Sequence, residues 1–202
     1  MPASVVVSFL VKGGPVMIPL AACSVLSLAV ILDRAWFWWR ARPVGDCDQM
    51  LHLAAAGKWD DALEQARASR EPGARVLAEG LEHRDTEPTL AMEAAARQEL
   101  SRMRRGLAVL DTIVTLSPLL GLLGTVTGMI AAFGVMSTSG MNQPHAITGG
   151  VAEALIATAA GLGIAITTLV PYNVFSAHAE RALEDIEHHG TRLELLLRGE
   201  PR

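Results

Sequence analysis

The stretch TIVTLSPLLGLLGTVTGMIAAFGV, residues 112–135, is uncharged and apolar, and it decides the fold class. A second apolar stretch, ITGGVAEALIATAAGLGIAITTLVPYNVF, covers residues 147–175 and contains a single acidic residue, Glu153, and a third, PVMIPLAACSVLSLAVIL, covers residues 15–32. Each provides close to the roughly 20 apolar residues that an α-helix needs to cross about 30 Å of hydrocarbon. The sequence therefore predicts three transmembrane helices.

The composition also indicates a membrane protein. Of the 202 residues 50% are hydrophobic, and the mean hydropathy of +0.32 is high for a soluble domain. We expect an all-α integral membrane protein whose second and third spans extend into the cytoplasm, next to a small cytoplasmic helical region. The predicted segments are an external leader (1–14), transmembrane helix 1 with an aromatic belt (15–39), a cytoplasmic helical region (40–106), transmembrane helix 2 (107–136), an external loop (137–146), transmembrane helix 3 (147–176) and a cytoplasmic helical tail (177–202).

Within the cytoplasmic region, residues 46–56 and 59–69 are rich in Ala, Leu and charges, which favours a helical hairpin. After Pro88 apolar residues recur at helical spacing, and neither Pro nor Gly interrupts them until Gly106. We therefore expect one long helix that runs from the cytoplasm into the second span.

The 17 Lys and Arg residues are distributed unevenly along the chain. Twelve lie between the first and second spans, four follow the third span, and Lys12 alone precedes the first span. By the positive-inside rule the two basic segments are cytoplasmic, which predicts an external N-terminus and a cytoplasmic C-terminus. Because the basic cluster follows the first apolar run, that run is expected to be a retained anchor and not a cleaved signal peptide.

Glu153 is the only Asp, Glu, Lys or Arg between Asp111 and Glu180. A carboxylate at membrane depth is costly unless it is protonated, paired or hydrated, so such a residue is a candidate functional site. The spans contain no Lys or Arg that could pair with it. Either Glu153 carries a proton, or another subunit or a water path meets it.

Thr125 and Thr158 are predicted to lie at one depth, about 16–18 Å from the outer loop at 1.5 Å per residue. Glu153 would lie about 9 Å from that loop, level with Ala131 and Ala132. A lone transmembrane Thr usually bonds a carbonyl group of its own helix, but a matched pair near an embedded carboxyl group indicates a proton pathway. Glu153 and Thr158 are about 140° apart around a helix, so one of them could face an adjacent subunit.

Small residues form a stripe along the second span. Gly124, Gly128 and Ala132 recur every four residues, a pattern that lets helices approach closely in lipid. Tight packing alone would explain the pattern, and we also expect it to support assembly of subunits. The predicted packing residues are Pro118, Gly121, Gly124, Gly128, Ala132 and Gly161.

Two motifs resemble a known family. Residues 117–130, SPLLGLLGTVTGMI, and residues 153–162, EALIATAAGL, followed by Tyr172 and Asn173, resemble the MotA/TolQ/ExbB proton-channel family, with the TolQ/ExbB branch the best match. The resemblance is strong over residues 107–175, and residues 13–40 agree in character. Two such motifs in this order and topology are a specific signal.

The resemblance implies an oligomer of the bacterial inner membrane, a homopentamer in relatives, whose second and third spans line a pore. The pore would enclose an ExbD- or TolR-like single-span partner with an intramembrane Asp, and a TonB- or TolA-like protein is a further expected partner. Thr125, Thr158 and Glu153 fall on the family's pore-lining positions. The implied function is that of a proton-channel, or stator, subunit that uses the proton motive force to drive this partner in outer-membrane transport or envelope integrity.

The sequence departs from the family pattern at two places. Ser117 replaces the usual Ala before Pro118. The Pro that often follows the Ala-Ile pair of the third span is absent after Ile166, and Pro171 comes later instead. These departures leave open where the third helix bends.

An enzyme is not expected, because G-x-S-x-G, H-E-x-x-H and phosphate-loop motifs are absent. His188 and His189 lie near Glu184 and Glu187, but adjacent histidines point to different sides of a helix, so no metal site is expected. We expect no cofactor either.

Three further expectations concern charges, partners and cysteines. Asp111, near the inner end of the second span, belongs either to a proton exit path or to the solvated charges at the headgroup boundary. The competing function for the whole chain is a non-conducting oligomeric membrane scaffold, in which Glu153 only hydrogen-bonds across an interface. Lipid is an expected partner and nucleic acid is not, and Cys23 and Cys47 are expected to form no disulfide.

Overall fold

The computed structural model describes residues 13–41, 45–139 and 144–199, and all regular secondary structure within these ranges is α-helical. The helices of this part of the chain are α1 (Met17–Arg40), α2 (Asp46–Ala55), α3 (Trp59–Ala68), α4 (Pro72–Glu82), α5 (Pro88–Arg104), α6 (Leu107–Ser139) and α7 (Pro144–Leu197). Residues 1–12 of the predicted leader and 140–143 of the predicted external loop lie outside the described residues.

Three stretches of helix are long and apolar enough to cross a membrane, and they lie in α1, α6 and α7. Large apolar side chains on these helices point outward: Ile18 is 76% exposed, Ile130 66% and Ile166 64%. So much outward apolar surface is expected where lipid or other subunits cover it. The prediction of an all-α membrane protein with three spans is confirmed.

The chain divides into two compact units. The spanning unit comprises the residues up to Leu32 together with Gly106–Asn173, and the charged unit comprises Asp33–Arg105 together with the chain from Val174 onward. Helices α1 and α7 each contribute residues to both units.

In the spanning unit, α6 and α7 run antiparallel, and residues 117–132 of α6 contact residues 150–161 of α7. The beginning of α1 adds a small apolar cluster to this pair. Its buried members Val16, Met17 and Leu20 pack against the partly buried Leu120, Ala160 and Ile164. Burial of these side chains fixes the start of α1 in the unit.

The charged unit has a core of large side chains, contributed by α2 to α5 and by the C-terminal part of α7. Leu77 and Leu193 are each 1% exposed. The buried carboxylate of Glu99 accepts a hydrogen bond of 2.6 Å from Arg102, and its Oε1 lies 3.5 Å from Nη1 of Arg75. This unit therefore combines an apolar core with paired charges, as a water-soluble domain does.

The expected unbroken helix from residue 88 into the second span is two helices. α5 ends at Arg104 and α6 begins at Leu107, and Gly106 between them has φ of 80°. This left-handed conformation cannot continue an α-helix, and glycine adopts it without the clash of a Cβ.

α7, in contrast, continues for 54 residues, with Pro171 inside it. The predicted third span and the predicted cytoplasmic tail are therefore parts of one helix. The helices on either side of the predicted external loop also reach further into it than expected, since α6 ends at Ser139 and α7 begins at Pro144.

Candidate functional site

Glu153 is half-buried on α7, next to Ala154, which packs on Gly128 of α6. Its carboxyl group lies directly against the backbone of Gly14, in the turn before α1. A Cβ added at Gly14 would overlap Oε1 of Glu153 and would lie 2.8 Å from its Cδ. Within the part of the chain that the structure describes, this carboxyl group has no hydrogen-bond or ion-pair partner. The described residues therefore leave this carboxyl group unpaired.

The turn at Gly14 is tied to the start of α1. Gly14 has φ of 72°, and its carbonyl oxygen accepts the N–H of Met17 at 3.1 Å. The neighbouring Gly13 is buried, and a Cβ there would lie 3.2 Å from Cγ2 of Ile156. Gly13 and Gly14 directly precede the predicted first span, and the sequence did not identify them as neighbours of the carboxyl group. The pair of glycines is the signal for this close backbone approach.

Thr158, also on α7, bonds to the other spanning helix. Its hydroxyl group donates a hydrogen bond of 2.9 Å to the carbonyl oxygen of Gly121 on α6. In an α-helix that same carbonyl accepts the N–H of the residue four positions later, which is Thr125. The hydroxyl group of Thr125 itself donates to the carbonyl of Leu122 at 2.6 Å. The two threonines are thus linked through the peptide group of Gly121.

Glu153 and Thr158 contact different neighbours, namely the turn before α1 and helix α6. Their spacing of about 140° around the helix accounts for this difference. Because Ala154 and Gly150 oppose Gly128, Glu153 lies level with the residues near Gly128, about one helical turn deeper than the predicted level of Ala131 and Ala132. That count assumed that both spans begin at the same depth.

The small residues of the predicted stripe lie between α6 and α7 of the same chain. A Cβ at Gly124 would lie 2.5 Å from the Cβ of Ala157, and one at Gly128 would lie 3.0 Å from the carbonyl oxygen of Gly150. The close approach continues along both helices, at Gly121, Ala132 and Gly161. At the most crowded position, a Cβ on Gly161 would overlap the carbonyl oxygen of Ser117.

Two fully buried polar residues of the spanning helices differ in their hydrogen bonding. Ser117, next to the half-buried Pro118, is fully buried and donates to the carbonyl of Ile113 at 2.7 Å. Thr168 is equally buried, but its hydroxyl group has no hydrogen-bond partner among the described residues. The sequence did not single out Thr168, since a Thr in an apolar helix is ordinarily satisfied by its own backbone.

The remaining candidates lie away from Glu153 in the sequence. Asp111 is exposed near the start of α6, which is compatible with both of its predicted roles. His189 lies 3.7 Å from the Asp48 carboxylate, and the ring of His188 packs edge-on against the ring of His189. The described ranges contain no group of three or more side chains placed to hold a metal ion.

Residues 68–188 match the model of the MotA/TolQ/ExbB proton channel family. This match covers more than half of the chain and includes α6 with the whole membrane part of α7. The chain belongs to the MotA/TolQ/ExbB proton channel family. Glu153, Thr125 and Thr158 all lie within the matched region.

Individual relatives indicate the branch of the family. The ExbB-like 1 biopolymer transport protein of Synechocystis is 40% identical over 199 residues, which cover 93% of this chain and 77% of the relative. The biopolymer transport protein exbB1 of Vibrio cholerae is 32% identical over 190 residues, covering 90% and 83% respectively. The Tol-Pal system protein TolQ of Pseudomonas aeruginosa is 40% identical over 90 residues, covering 45% and 39%. The predicted family and its TolQ/ExbB branch are confirmed, and the chain is a multi-pass membrane protein.

Proposed function

We propose that the chain is the proton-channel subunit of an energy-transducing complex of the bacterial inner membrane. It would use the proton motive force to drive an ExbD- or TolR-like single-span partner that acts on the outer membrane. One observation carries the proposal: the only carboxyl group deep in the spans, that of Glu153, has no partner among the described residues. A structural carboxyl group at this depth would be expected to be paired.

The proposed chemistry is a single proton transfer to and from Glu153. A carboxylate oxygen accepts a proton from one side of the membrane, the neutral acid is stable in apolar surroundings, and the proton leaves toward the other side. Each proton that crosses 100 mV provides about 2.3 kcal/mol. That energy is sufficient to bias a partner helix between two orientations if the two protonation states of Glu153 prefer different contacts.

Thr125 and Thr158 are proposed to assist at the neighbouring level. The hydroxyl group of Thr158 donates to the carbonyl of Gly121 and that of Thr125 to the carbonyl of Leu122, and each hydroxyl oxygen could still accept a hydrogen bond from water or relay a proton. Thr127 and Thr167 provide matched controls: their hydroxyl groups also bond to carbonyls of their own helices, but both residues are exposed and neither is linked to Gly121.

Assembly and orientation are further parts of the proposal. We propose a homopentamer with the N-terminus outside and the C-terminus in the cytoplasm, in line with the distribution of Lys and Arg. The outward apolar surface of α1, α6 and α7 offers contacts for lipid, for other subunits and for the single-span partner. A TonB- or TolA-like protein would carry the resulting movement to the outer membrane.

The function is tested in cells that lack their own copy of the protein and express variants together with the partner. Glu153→Gln keeps the size and most hydrogen bonding of the side chain but cannot titrate, so it should assemble normally and lose energy-dependent outer-membrane activity. Glu153→Asp should retain part of the activity, because the carboxyl group is kept and only the side chain is one methylene shorter. Thr125→Val and Thr158→Val should reduce activity more than Thr127→Val and Thr167→Val do.

Assembly must be measured in parallel, for example by native mass spectrometry of the purified complex. Full activity of Glu153→Gln, with the complex intact, would show that the carboxyl group carries no protons. The chain would then be a non-conducting scaffold.

A further inference from the structure

We propose that the Glu153 carboxyl group is held in place by packing against the turn formed by Gly13, Gly14 and Pro15. Gly14 is then a positioning residue for proton transfer. The inference rests on the proposed function of Glu153 and deepens it. It assigns to the start of the first span a direct part in holding the titrating group. The contact between Gly14 and Glu153 within the spanning unit is the observation from which it follows.

Only glycine fits at position 14, for two independent reasons. The backbone has φ of 72°, which is strained for residues with a Cβ. In addition, a Cβ would overlap Oε1 of Glu153 and would lie 2.8 Å from Cδ and 3.3 Å from Cγ. The carboxyl group thus rests on the Cα of Gly14, within reach of a weak C–H···O contact. Any side chain at position 14 must displace the carboxyl group or the turn.

The turn itself is held on both sides. Gly13 packs against Ile156, which lies one helical turn after Glu153 on α7. On the other side, Val16 and Leu20 are buried, with exposures of 8% and 0%, in the cluster that joins α1 to α6 and α7. Because these contacts fix the turn against α7, an added side chain at Gly14 should move the carboxyl group and leave the turn in place.

One consequence concerns access to the carboxyl group. The backbone of Gly14 covers one side of it, so protons and water must reach Glu153 from the sides that the turn leaves open. Displacing the carboxyl group from the turn should expose it further and misplace it for transfer. Gly14 would then influence transfer through the position of Glu153, without touching the proton itself.

The test measures how fast dicyclohexylcarbodiimide labels Glu153 in membranes that contain the full-length protein with its co-expressed partner. This lipid-soluble reagent modifies protonated carboxyl groups that it can reach, and mass spectrometry identifies the labelled residue. In Gly14→Ala we expect labelling about tenfold faster than in the unmodified protein. This change corresponds to about 1.4 kcal/mol of lost protection of the carboxyl group from the reagent. The labelling rate of Glu153 does not depend on proton transport, so this measurement tests the inference separately from the proposed function.

Two glycine variants serve as controls. Gly13→Ala lies in the same turn, but its new methyl group meets Cγ and Sδ of Met17 and Cγ2 of Ile156 and not the carboxyl group. Gly45→Ala has the same kind of backbone, with φ of 81°, but nothing lies within 4 Å of the added Cβ. Gly45→Ala should label at the unmodified rate, and Gly13→Ala, which disturbs the turn without touching the carboxyl group, should label more slowly than Gly14→Ala.

A double-mutant cycle with Glu153→Asp decides whether the contact itself is responsible. Aspartate is one methylene shorter and withdraws its carboxyl group from the turn, so Glu153→Asp alone should also label faster. Adding Gly14→Ala to Glu153→Asp should then change the rate less than twofold, because the contact is already lost. If Gly14→Ala does not fold, the single Glu153→Asp variant still tests the inference, because unchanged or slower labelling in it would overturn the contact with the turn.

The expected result is fast labelling in each single variant and no further gain in the double variant. Unchanged or slower labelling in Gly14→Ala, or an equal effect of Gly14→Ala in both backgrounds, would overturn the positioning role. Neither of those outcomes would affect the proposal that Glu153 carries protons. If the cellular assay showed that Glu153 carries no protons, the contact between Gly14 and Glu153 would still stand, but it would have no role in proton transfer.

Discussion

The spanning unit and the charged unit are stabilised in opposite ways. In the charged unit, large side chains such as Leu77 fill the core, and the buried carboxylate of Glu99 is bonded by Arg102. In the spanning unit, the backbones of α6 and α7 meet at glycines such as Gly161, while the carboxyl group of Glu153 has no partner among the described residues. In lipid, association of helices depends on close packing, because burying apolar side chains gains little there. A polar group that packing does not need is then available for function.

The comparison predicts that removing volume harms the charged unit most. Leu77→Ala should lower the free energy of unfolding by about 2–5 kcal/mol, because Leu77 is 1% exposed and its loss leaves a cavity. Leu90→Ala is the matched control, since Leu90 is 62% exposed. All four tryptophans lie in the charged unit, so tryptophan fluorescence during denaturant unfolding reports on this unit. Equal effects of the two substitutions would contradict the proposed core.

Adding volume should harm the spanning unit. Gly161→Ala places a methyl group on the backbone of Ser117, so it should destabilise the packing of α6 on α7 by about 1–3 kcal/mol. Gly163→Ala is the control two residues away, where nothing lies within 4 Å of the new Cβ. Hydrogen exchange of peptides from the two helices, followed by mass spectrometry, should show faster exchange only in Gly161→Ala. Similar exchange in both variants would mean that the two helices do not pack through this position.

A surface ion pair of the charged unit should have the smallest effect. The hydrogen bond from Arg192 is the main reason that the pKa of Asp48 lies below its usual value of 3.8. Since the carboxyl group is mostly exposed, Asp48→Asn should cost only about 0.2–1 kcal/mol at neutral pH. A lowered pKa in the folded state gives stability that is present above pH 3.8 and is lost as the pH falls through that lowered pKa.

The difference between Asp48→Asn and the unmodified protein should therefore shrink as the pH falls below 3.8 and disappear below the lowered pKa of folded Asp48. Asp61→Asn is the control, because exposed Asp61 makes no ion pair within the described ranges. A difference that persists unchanged in acid would rule out the ion pair as its cause.

Much of the fold was predictable, because it follows from local patterns. The three apolar runs predicted the three spans, and the predicted hairpin at residues 46–56 and 59–69 matches α2 and α3 within one residue at each end. The break at Gly106 was not predicted, since a single glycine is tolerated inside a helix and also ends one. Its φ of 80°, which decides between these possibilities, depends on the folded chain.

The sequence predicted which residues form the candidate site, but it did not predict what those residues contact. The isolation of Glu153 and the spacing of Thr125 and Thr158 are properties of the sequence, and their role in a proton pathway remains a prediction. Their neighbours are not local: Gly14 lies far from Glu153 along the chain, and Thr158 bonds to Gly121 on another helix. Such contacts depend on the register of α1, α6 and α7, which helix periodicity alone does not fix.

The central claim is that Glu153 carries protons, and proton flux through the reconstituted complex tests it most directly. The chain and its co-purified partner are placed in liposomes, a membrane potential is applied, and an internal pH-sensitive dye records proton entry. Native mass spectrometry confirms that each preparation contains the same assembly. We predict that flux falls to the level of protein-free liposomes in Glu153→Gln and is partly retained in Glu153→Asp. Undiminished flux through an intact Glu153→Gln complex would contradict the account.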